Sequence, residues 1–184
     1  MRRWLHQLPN LISSLRILLV APIALCLTDH RLVATLCLFG VAAFSDAADG
    51  FLARRFGWQT ELGGALDPIA DKLMLATVFV VLAVQRHVPV WLSVAVIARD
   101  VVVVLGAISY RTWIGPVTAS PSVISKLNTL CQIMLILAVI SELQFAWPPA
   151  WAVLALGAMV LALAVLSGID YVLVYGRRAA VNAA

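Results

Sequence analysis

SDAADG, residues 45–50, closes one long apolar stretch, and GGALDPIADK, residues 63–72, opens the next. These two segments mark where the second and third hydrophobic helices of the chain meet, and they carry four aspartates: Asp46, Asp49, Asp67 and Asp71. An ionised carboxylate at the edge of a membrane-length apolar segment is expensive to bury, and such residues usually mark a functional site. The four aspartates are therefore the first candidates for one.

The composition is that of a polytopic membrane protein. The chain has 184 residues, 63% of them hydrophobic, and a mean hydropathy of +1.01, whereas soluble domains are closer to half apolar. No linker divides the sequence, so one membrane domain over residues 1–184 is predicted. The three cysteines lie in apolar stretches without neighbours at metal-ligand spacing, which favours small buried side chains over zinc ligands. We expect the protein to interact with membrane lipids and not with nucleic acid.

The predicted fold class is all-α, with six membrane-spanning helices. Each span needs about 20 mostly apolar residues, and the qualifying stretches are about 11–28, 32–52, 64–84, 89–110, 122–143 and 149–173. The N-terminal sequence MRRWLHQLPNLISS has no signal-peptide cleavage site and is predicted to be a short retained segment at the membrane surface.

The distribution of basic residues predicts the orientation of the spans. Most of them fall on one side of the bundle: Arg2, Arg3, Arg54, Arg55, Arg111, Lys126, Arg177 and Arg178. In the loops on the other side of the bundle, the basic residues are Arg31 and Arg86. The positive-inside rule then places both termini and the four aspartates in the cytoplasm. A short chain without a transit peptide fits a bacterial inner membrane.

The spacing of the aspartates predicts two pairs of carboxylates. Asp46 and Asp49 share one helix face, as do Asp67 and Asp71, because residues three or four apart are neighbours on a helix. The second and third helices are expected to be antiparallel neighbours, so that the pairs converge. Lys72 and the Arg54–Arg55 pair are expected to point into a flexible loop and to be too few to neutralise four carboxylates.

All-oxygen ligands without His or Cys suit Mg²⁺, Mn²⁺ or Ca²⁺. Two divalent ions bridged by shared carboxylates would neutralise the cluster and could hold a phosphate for an in-line displacement. The alternative, in which the acids only cap helices and pair with arginines, explains one aspartate better than four. Gly50, Gly63 and Gly64 beside the carboxylates leave room for a bulky ligand.

The same residues resemble the signature of the CDP-alcohol phosphatidyltransferase family. The pattern reads Asp46-x-x-Asp49-Gly50-x-x-Ala53-Arg54, then eight residues, then Gly63-x-x-x-Asp67-x-x-x-Asp71. The resemblance implies a six-span membrane enzyme in which an alcohol attacks the phosphorus of a CDP-linked lipid and CMP leaves. It also implies that Asp46, Asp49, Asp67 and Asp71 hold two Mg²⁺ or Mn²⁺ ions, that Asp71 acts as general base, and that relatives form homodimers.

The resemblance assigns the other motif residues to the nucleotide. Gly50, Ala53, Arg54 and Gly63 would contact the cytidine diphosphate of CDP-diacylglycerol. The segment LPNLISSLR, residues 8–16, resembles the start of the first span in glycerophospholipid-forming members. There Asn10 and Ser13 could reach the nucleotide, or they could simply cap the helix.

The acceptor alcohol has to be inferred from residues outside that motif. IARD, residues 97–100, places Arg99 and Asp100 deep in the fourth span, where they either face a polar cavity or tie neighbouring helices together. PSVISKLNTLCQ, residues 121–132, opens the fifth span with Lys126, which could hold an acceptor phosphate or anchor the helix at the headgroups. Arg111, at the end of the fourth span, is a third candidate for acceptor binding. Asp170 could border the acceptor pocket or pair with a basic loop residue.

The IARD and PSVISKLNTLCQ segments resemble the cardiolipin-forming branch of the family, which uses phosphatidylglycerol as acceptor. The glycerol-3-phosphate branch more often has Gly-Lys-x-Lys-Thr where this chain has SKLNT. A glycerol-3-phosphate dianion needs more positive charge than a phosphodiester, so phosphatidylglycerol is the favoured acceptor and glycerol-3-phosphate the alternative.

A divalent cation or proton transporter is the hypothesis from another class, since intramembrane carboxylates also form ion pathways. Against it, the acids cluster at one mouth of the bundle, and the far halves of the second and third spans carry no ionisable residue. A purely structural membrane subunit would leave the Asp and Gly spacing unexplained.

Overall fold

The computed structural model describes the backbone of residues 8–56, 61–113 and 123–183, and the side chains of residues 15–45, 70–106 and 123–170. The described backbone forms six α-helices and no strand: α1 Leu8–Thr28, α2 Leu32–Phe56, α3 Glu61–Val84, α4 Val90–Trp113, α5 Val123–Phe145 and α6 Ala150–Ala183. The all-α prediction is confirmed. Several boundaries differ from the sequence prediction by three or four residues: α1 begins at Leu8, inside the segment predicted to lie at the membrane surface, and α2 ends at Phe56. The largest difference is at α6, which continues about ten residues past 173.

Two helical segments are long and apolar enough to cross a membrane. Among the described residues these are Val123–Phe145 in α5 and Ala150–Asp170 in α6, with mean hydropathies of 2.0 and 2.5. Large apolar side chains such as Leu154 and Leu166 are exposed on α6, as expected for a surface that faces lipid and not water. The remaining four spans, and the surface segment, stay predictions.

By the contacts of the described residues, the six helices form a closed ring in which each helix packs against its two neighbours in the ring. The order around the ring is α1, α2, α5, α6, α4, α3 and back to α1, and α3 also meets α5 across the interior. The buried core includes Ile23, Phe39, Phe79, Ile136 and Val160, which come from five different helices. Burial of these large side chains stabilises the ring through close packing.

The prediction that α2 and α3 are antiparallel neighbours concerns the stretches that carry the four aspartates. Most of these stretches lie outside the described side chains, so it stays a prediction. Among the described residues, both helices pack against α1, and both touch α5. Helical periodicity gives the face that a residue occupies but not the helix that it meets, which is why the sequence did not reveal this order.

The turns after α1 and α3 share one backbone motif. His30 and Arg86 adopt left-handed conformations, with φ of 58° and 62°. Arg31 N donates to Cys26 O at 2.8 Å, and His87 N donates to Leu82 O at 2.9 Å. These bonds satisfy carbonyls at the helix ends in the Schellman pattern, which usually has glycine at the left-handed position.

Arg86→Gly is therefore expected to raise the free energy of unfolding. A non-glycine residue in the left-handed region costs ~1–2 kcal/mol, and the extra entropy that glycine gives the unfolded chain removes ~0.5–1 kcal/mol of that gain. The net expectation is about 0.5–1 kcal/mol, measured by reversible unfolding in detergent micelles. Val84→Gly, at the helical residue two positions earlier, should lose stability instead, and a loss in both variants would contradict the assignment.

Candidate active site

The predicted site residues lie on five helices. Arg99 of α4 and Lys126 of α5 are described below, and the backbone places the others as follows: Asn10 and Ser13 on α1; Asp46, Asp49, Gly50, Ala53 and Arg54 on α2; Gly63, Asp67 and Asp71 on α3; and Arg111 on α4. Of these eleven residues, Asp71 is the one whose side chain lies within the described ranges. The convergence of the other carboxylates stays a prediction.

Asp71 is held by an arginine from the neighbouring helix. Arg16 Nη1 of α1 lies 2.5 Å from Asp71 Oδ1 of α3. The Arg16 side chain is 3% exposed, whereas that of Asp71 is 25% exposed. A buried guanidinium therefore fixes one oxygen of the carboxylate, and the Asp71 side chain remains partly exposed.

Arg16 was not identified from the sequence, although it ends the LPNLISSLR segment. The available signal was an arginine followed by twelve residues without a charge, ILLVAPIALCLT, because an unpaired arginine at such a position is costly to bury. Arg16 supplies positive charge at Asp71. Charge compensation at this aspartate therefore comes at least in part from α1.

Lys72 does not point into a loop, contrary to the sequence-based expectation. It lies within α3, and its Nζ is 2.8 Å from Asp100 Oδ1 of α4. Asp71 and Lys72 are successive residues on a helix, so they project in directions about 100° apart. The first pairs with α1 and the second with α4, which matches the position of α3 between those two helices.

Arg99 and Asp100 form the centre of a polar cluster that joins four helices. Arg99 Nη1 lies 2.6 Å from Asp100 Oδ1. Arg99 Nη2 donates to Ser125 Oγ of α5 at 2.7 Å and also to Ser167 Oγ of α6. With Lys72, these residues connect α3, α4, α5 and α6 at one level of the ring.

This cluster bears on the two alternatives left open for Arg99. The guanidinium does tie neighbouring helices together, as the structural alternative expects. Its Nε atom, however, is buried and has no hydrogen-bond partner among the described residues. Two cations share one carboxylate in the cluster, so Lys72, Asp100 and Arg99 together carry a net charge of +1. Lys126 is exposed and follows Ser125 on α5.

α5 also carries two buried amides one turn apart. Asn128 and Gln132 are 0% and 1% exposed. Neither amide oxygen nor either amide nitrogen has a hydrogen-bond partner within the described ranges. Lys126 is a candidate from the sequence and Gln132 is not, because a lone glutamine in an apolar stretch carries no periodic signal.

Gln132→Leu is expected to raise the free energy of unfolding by about 1–3 kcal/mol, since it removes a desolvated amide without breaking a bond to the described groups. Gln85→Leu is the matched control because Gln85 Nε2 donates to Leu27 O at 3.1 Å. The control should lose about 1 kcal/mol. Both values follow from unfolding in detergent micelles, and destabilisation by Gln132→Leu would show that its amide binds a polar group.

The donor atoms of the predicted cluster fit a hard divalent cation. Four aspartates supply only carboxylate oxygens, the ligands that Mg²⁺ and Mn²⁺ prefer. Asp71 is oriented by Arg16 and partly accessible, as a metal ligand needs to be. Among the residues with described side chains there is no group of three or more potential ligands. Asp46, Asp49 and Asp67 lie outside those ranges, so the metal site stays a prediction.

The family model described as CDP-alcohol phosphatidyltransferase matches residues 6–169. The chain belongs to the CDP-alcohol phosphatidyltransferase family. The match includes α1 through most of α6, and it confirms the resemblance that the Asp and Gly motif carries. The cluster around Arg99 also lies within the matched range.

Relatives of this chain carry names with different acceptor alcohols. The "Cardiolipin synthase (CMP-forming)" of Rattus norvegicus is 33% identical over 147 residues, which cover 71% of this chain and 49% of the relative. The "CDP-diacylglycerol--glycerol-3-phosphate 3-phosphatidyltransferase" of Pseudomonas fluorescens is 43% identical over 104 residues, 53% of this chain and 52% of the relative. A "Probable phosphatidylglycerophosphate synthase" of Mycobacterium tuberculosis is 30% identical over 179 residues, 93% of this chain and 82% of the relative. The matched segment spans about half the length of the first two.

Proposed function

We propose that this protein transfers a phosphatidyl group from CDP-diacylglycerol to the hydroxyl of phosphatidylglycerol, with release of CMP. The observation that carries the proposal is the state of Asp71. It is the last residue of the family motif, and its partly exposed carboxylate is fixed by a buried arginine. A general base needs this combination of fixed orientation and access to the proton that it accepts.

Asp71 accepts the proton of the acceptor hydroxyl in the proposed reaction. The hydroxyl oxygen then attacks the phosphorus that carries the diacylglycerol. A new phosphorus–oxygen bond forms as the bond to the CMP oxygen breaks, and CMP leaves with the electron pair. Arg16 keeps the Asp71 carboxylate in one orientation, so that little reorganisation is needed when the acceptor arrives.

Two Mg²⁺ or Mn²⁺ ions bound by Asp46, Asp49, Asp67 and Asp71 would supply charge neutralisation at the pyrophosphate and a lower hydroxyl pKa at the acceptor. Asn10, Ser13, Gly50, Ala53, Arg54 and Gly63 are proposed to bind the cytidine diphosphate. The ring order supports this arrangement, because α2 and α3 both pack against α1 and both touch α5. The site is proposed to face the cytoplasm from the inner membrane, with the protein as a homodimer.

The charge of the Arg99 cluster supports phosphatidylglycerol as acceptor. Lys72, Asp100 and Arg99 leave one net positive charge, which balances one phosphodiester. Asn128 stands where glycerol-3-phosphate members of the family more often have lysine, and it is fully buried. A neutral side chain at this interior position removes a charge that a dianionic acceptor would need. Arg111 and Lys126 are proposed to complete the acceptor site.

The names of the Pseudomonas and Mycobacterium relatives support glycerol-3-phosphate as the alternative acceptor. The test is CMP release by purified protein in detergent, with CDP-diacylglycerol, Mg²⁺ or Mn²⁺, and each acceptor supplied separately. Release with phosphatidylglycerol alone is the expected result. Release with glycerol-3-phosphate alone would reassign the acceptor and leave the proposed roles of the aspartates intact.

A further inference from the structure

A groove lies between α4 and α6 on the outside of the ring. Its volume is about 450 Å³, and its walls include Ala95, Arg99 and Val102 of α4 and Ala164, Gly168 and Ile169 of α6. Val102 and Ile169 are 46% and 52% exposed, so the groove opens outward between the two helices. The small residues on both walls, Ala95, Ala164 and Gly168, leave the space between α4 and α6 unfilled.

One polar group lies on the otherwise apolar lining. Arg99 is 6% exposed and lines the groove, and its Nε–H has no partner among the described residues. A buried donor without an acceptor costs about 1–3 kcal/mol, so a ligand that brings an acceptor atom to this position would recover that energy. The net charge of +1 on Lys72, Asp100 and Arg99 favours an anionic acceptor group.

The groove is connected to the candidate active site through the same cluster. Arg99 pairs with Asp100, Asp100 pairs with Lys72, and Lys72 directly follows Asp71 on α3. A ligand whose anionic group reaches Arg99 therefore lies at the level of the proposed general base. Its apolar part would extend along α4 and α6 on the outer surface of the ring.

We propose that this groove binds one acyl chain of the anionic phospholipid acceptor, with its phosphodiester at the Arg99 end. The proposal rests on the proposed function and names the part of the molecule that selects a lipid acceptor over a water-soluble one. The groove volume falls within the ~300–1,000 Å³ of ordinary ligand sites. An apolar lining with one cationic end matches a phospholipid better than glycerol-3-phosphate, which has no apolar part.

Gly168 allows the groove to be filled with little disturbance of the fold. A Cβ atom built on Gly168 has no other heavy atom within 4 Å, so Gly168→Leu places its side chain in open space at the groove wall. Gly40 on α2 has the same open surroundings and lies outside the groove lining. Gly40→Leu is therefore the matched control, and Gly168→Ala provides an intermediate size.

The kinetic test compares long-chain and dihexanoyl phosphatidylglycerol as acceptors. Gly168→Leu is expected to raise KM for the long-chain acceptor at least ~10-fold, which corresponds to ~1.4 kcal/mol of binding. Gly168→Ala should have a smaller effect and Gly40→Leu none, while KM for CDP-diacylglycerol and kcat with the dihexanoyl acceptor stay unchanged. Equal effects at Gly168 and Gly40 would overturn the proposal. A raised KM for CDP-diacylglycerol would also overturn it, since the donor chain would then occupy the groove.

A binding experiment separates this proposal from the proposed function. Phosphatidylglycerol with a photoactivatable acyl chain is expected to label Val102 or Ile169, with competition by unlabelled phosphatidylglycerol and not by glycerol-3-phosphate. Gly168→Leu should abolish the labelling. Labelling without turnover of phosphatidylglycerol would refute the acceptor assignment and keep the groove as a phospholipid site. Turnover without labelling, or cross-linking of α6 to a second copy of the chain, would refute the groove.

Discussion

Asp71→Asn is expected to lower kcat for CMP release by about 10³-fold, because general-base catalysis contributes ~10²–10⁴-fold and the amide cannot accept the proton. The substitution retains the size of the side chain and an oxygen that can accept a hydrogen bond from Arg16, which lies 2.5 Å from the carboxylate. It also removes the carboxylate charge from a guanidinium that is 3% exposed, so a loss of stability is expected as well. The value of kcat is therefore measured at a temperature at which the variant remains folded. Single-turnover measurements of CMP release with saturating acceptor report the chemical step directly.

Asp29→Asn is the matched control for that substitution. Asp29 is exposed in the turn between α1 and α2. Gln85, which directly follows α3, donates to Leu27 O near this turn, so Asp29 lies near the C-terminal end of α3 and away from Asp71. It should retain full activity. If Asp71→Asn kept more than about a tenth of the wild-type rate, less than the ~10²-fold minimum expected of a general base, the assignment of Asp71 would be wrong.

Asp100→Asn is expected to cause the largest loss of stability. Asp100 Oδ1 accepts hydrogen bonds from Arg99 Nη1 at 2.6 Å and Lys72 Nζ at 2.8 Å. Without the carboxylate charge, a guanidinium that is 4% exposed faces a nearby ammonium with no anion between them. Breaking a buried ion pair by removing one partner costs ~3–5 kcal/mol. Reversible unfolding in mixed micelles, or the loss of folded protein on purification, measures this effect.

Lys72→Met provides the comparison on the other side of the same contact. The Lys72 side chain is 27% exposed, and Asp100 keeps Arg99 as its partner when Lys72 is removed. The expected loss is ~1 kcal/mol or less, as for partly solvated pairs. Equal losses for Lys72→Met and Asp100→Asn would contradict the prediction that Asp100 stabilises the cluster mainly through its contact with the buried Arg99.

The sequence predicted the helices better than it predicted their arrangement. Apolar length and polar breaks placed all six elements within a few residues of most of their observed ends, because each signal is local to one helix. The order around the ring depends on contacts between helices, so the packing of both α2 and α3 against α1 was not predictable from spacing.

The candidate site shows the same division. The four aspartates and the Arg99–Asp100 dipeptide were found because charges are rare in apolar stretches. Their partners were not: Arg16 meets Asp71 across 55 residues of sequence, and Ser167 meets Arg99 across 68. Serine is common in membrane helices and carries no signal by itself, so only the packing of α4 against α6 identifies its role.

The chain is proposed to join a phosphatidyl group to an acceptor hydroxyl with loss of CMP. The most direct test is mass spectrometry of the lipid product formed from CDP-diacylglycerol and phosphatidylglycerol that carry different acyl chains, in the presence of Mg²⁺ or Mn²⁺. We predict cardiolipin that contains both acyl pairs, in equal amount to the CMP released, and none with Asp71→Asn. Absence of any lipid product with phosphatidylglycerol or glycerol-3-phosphate, or formation of phosphatidic acid by hydrolysis alone, would contradict this proposal.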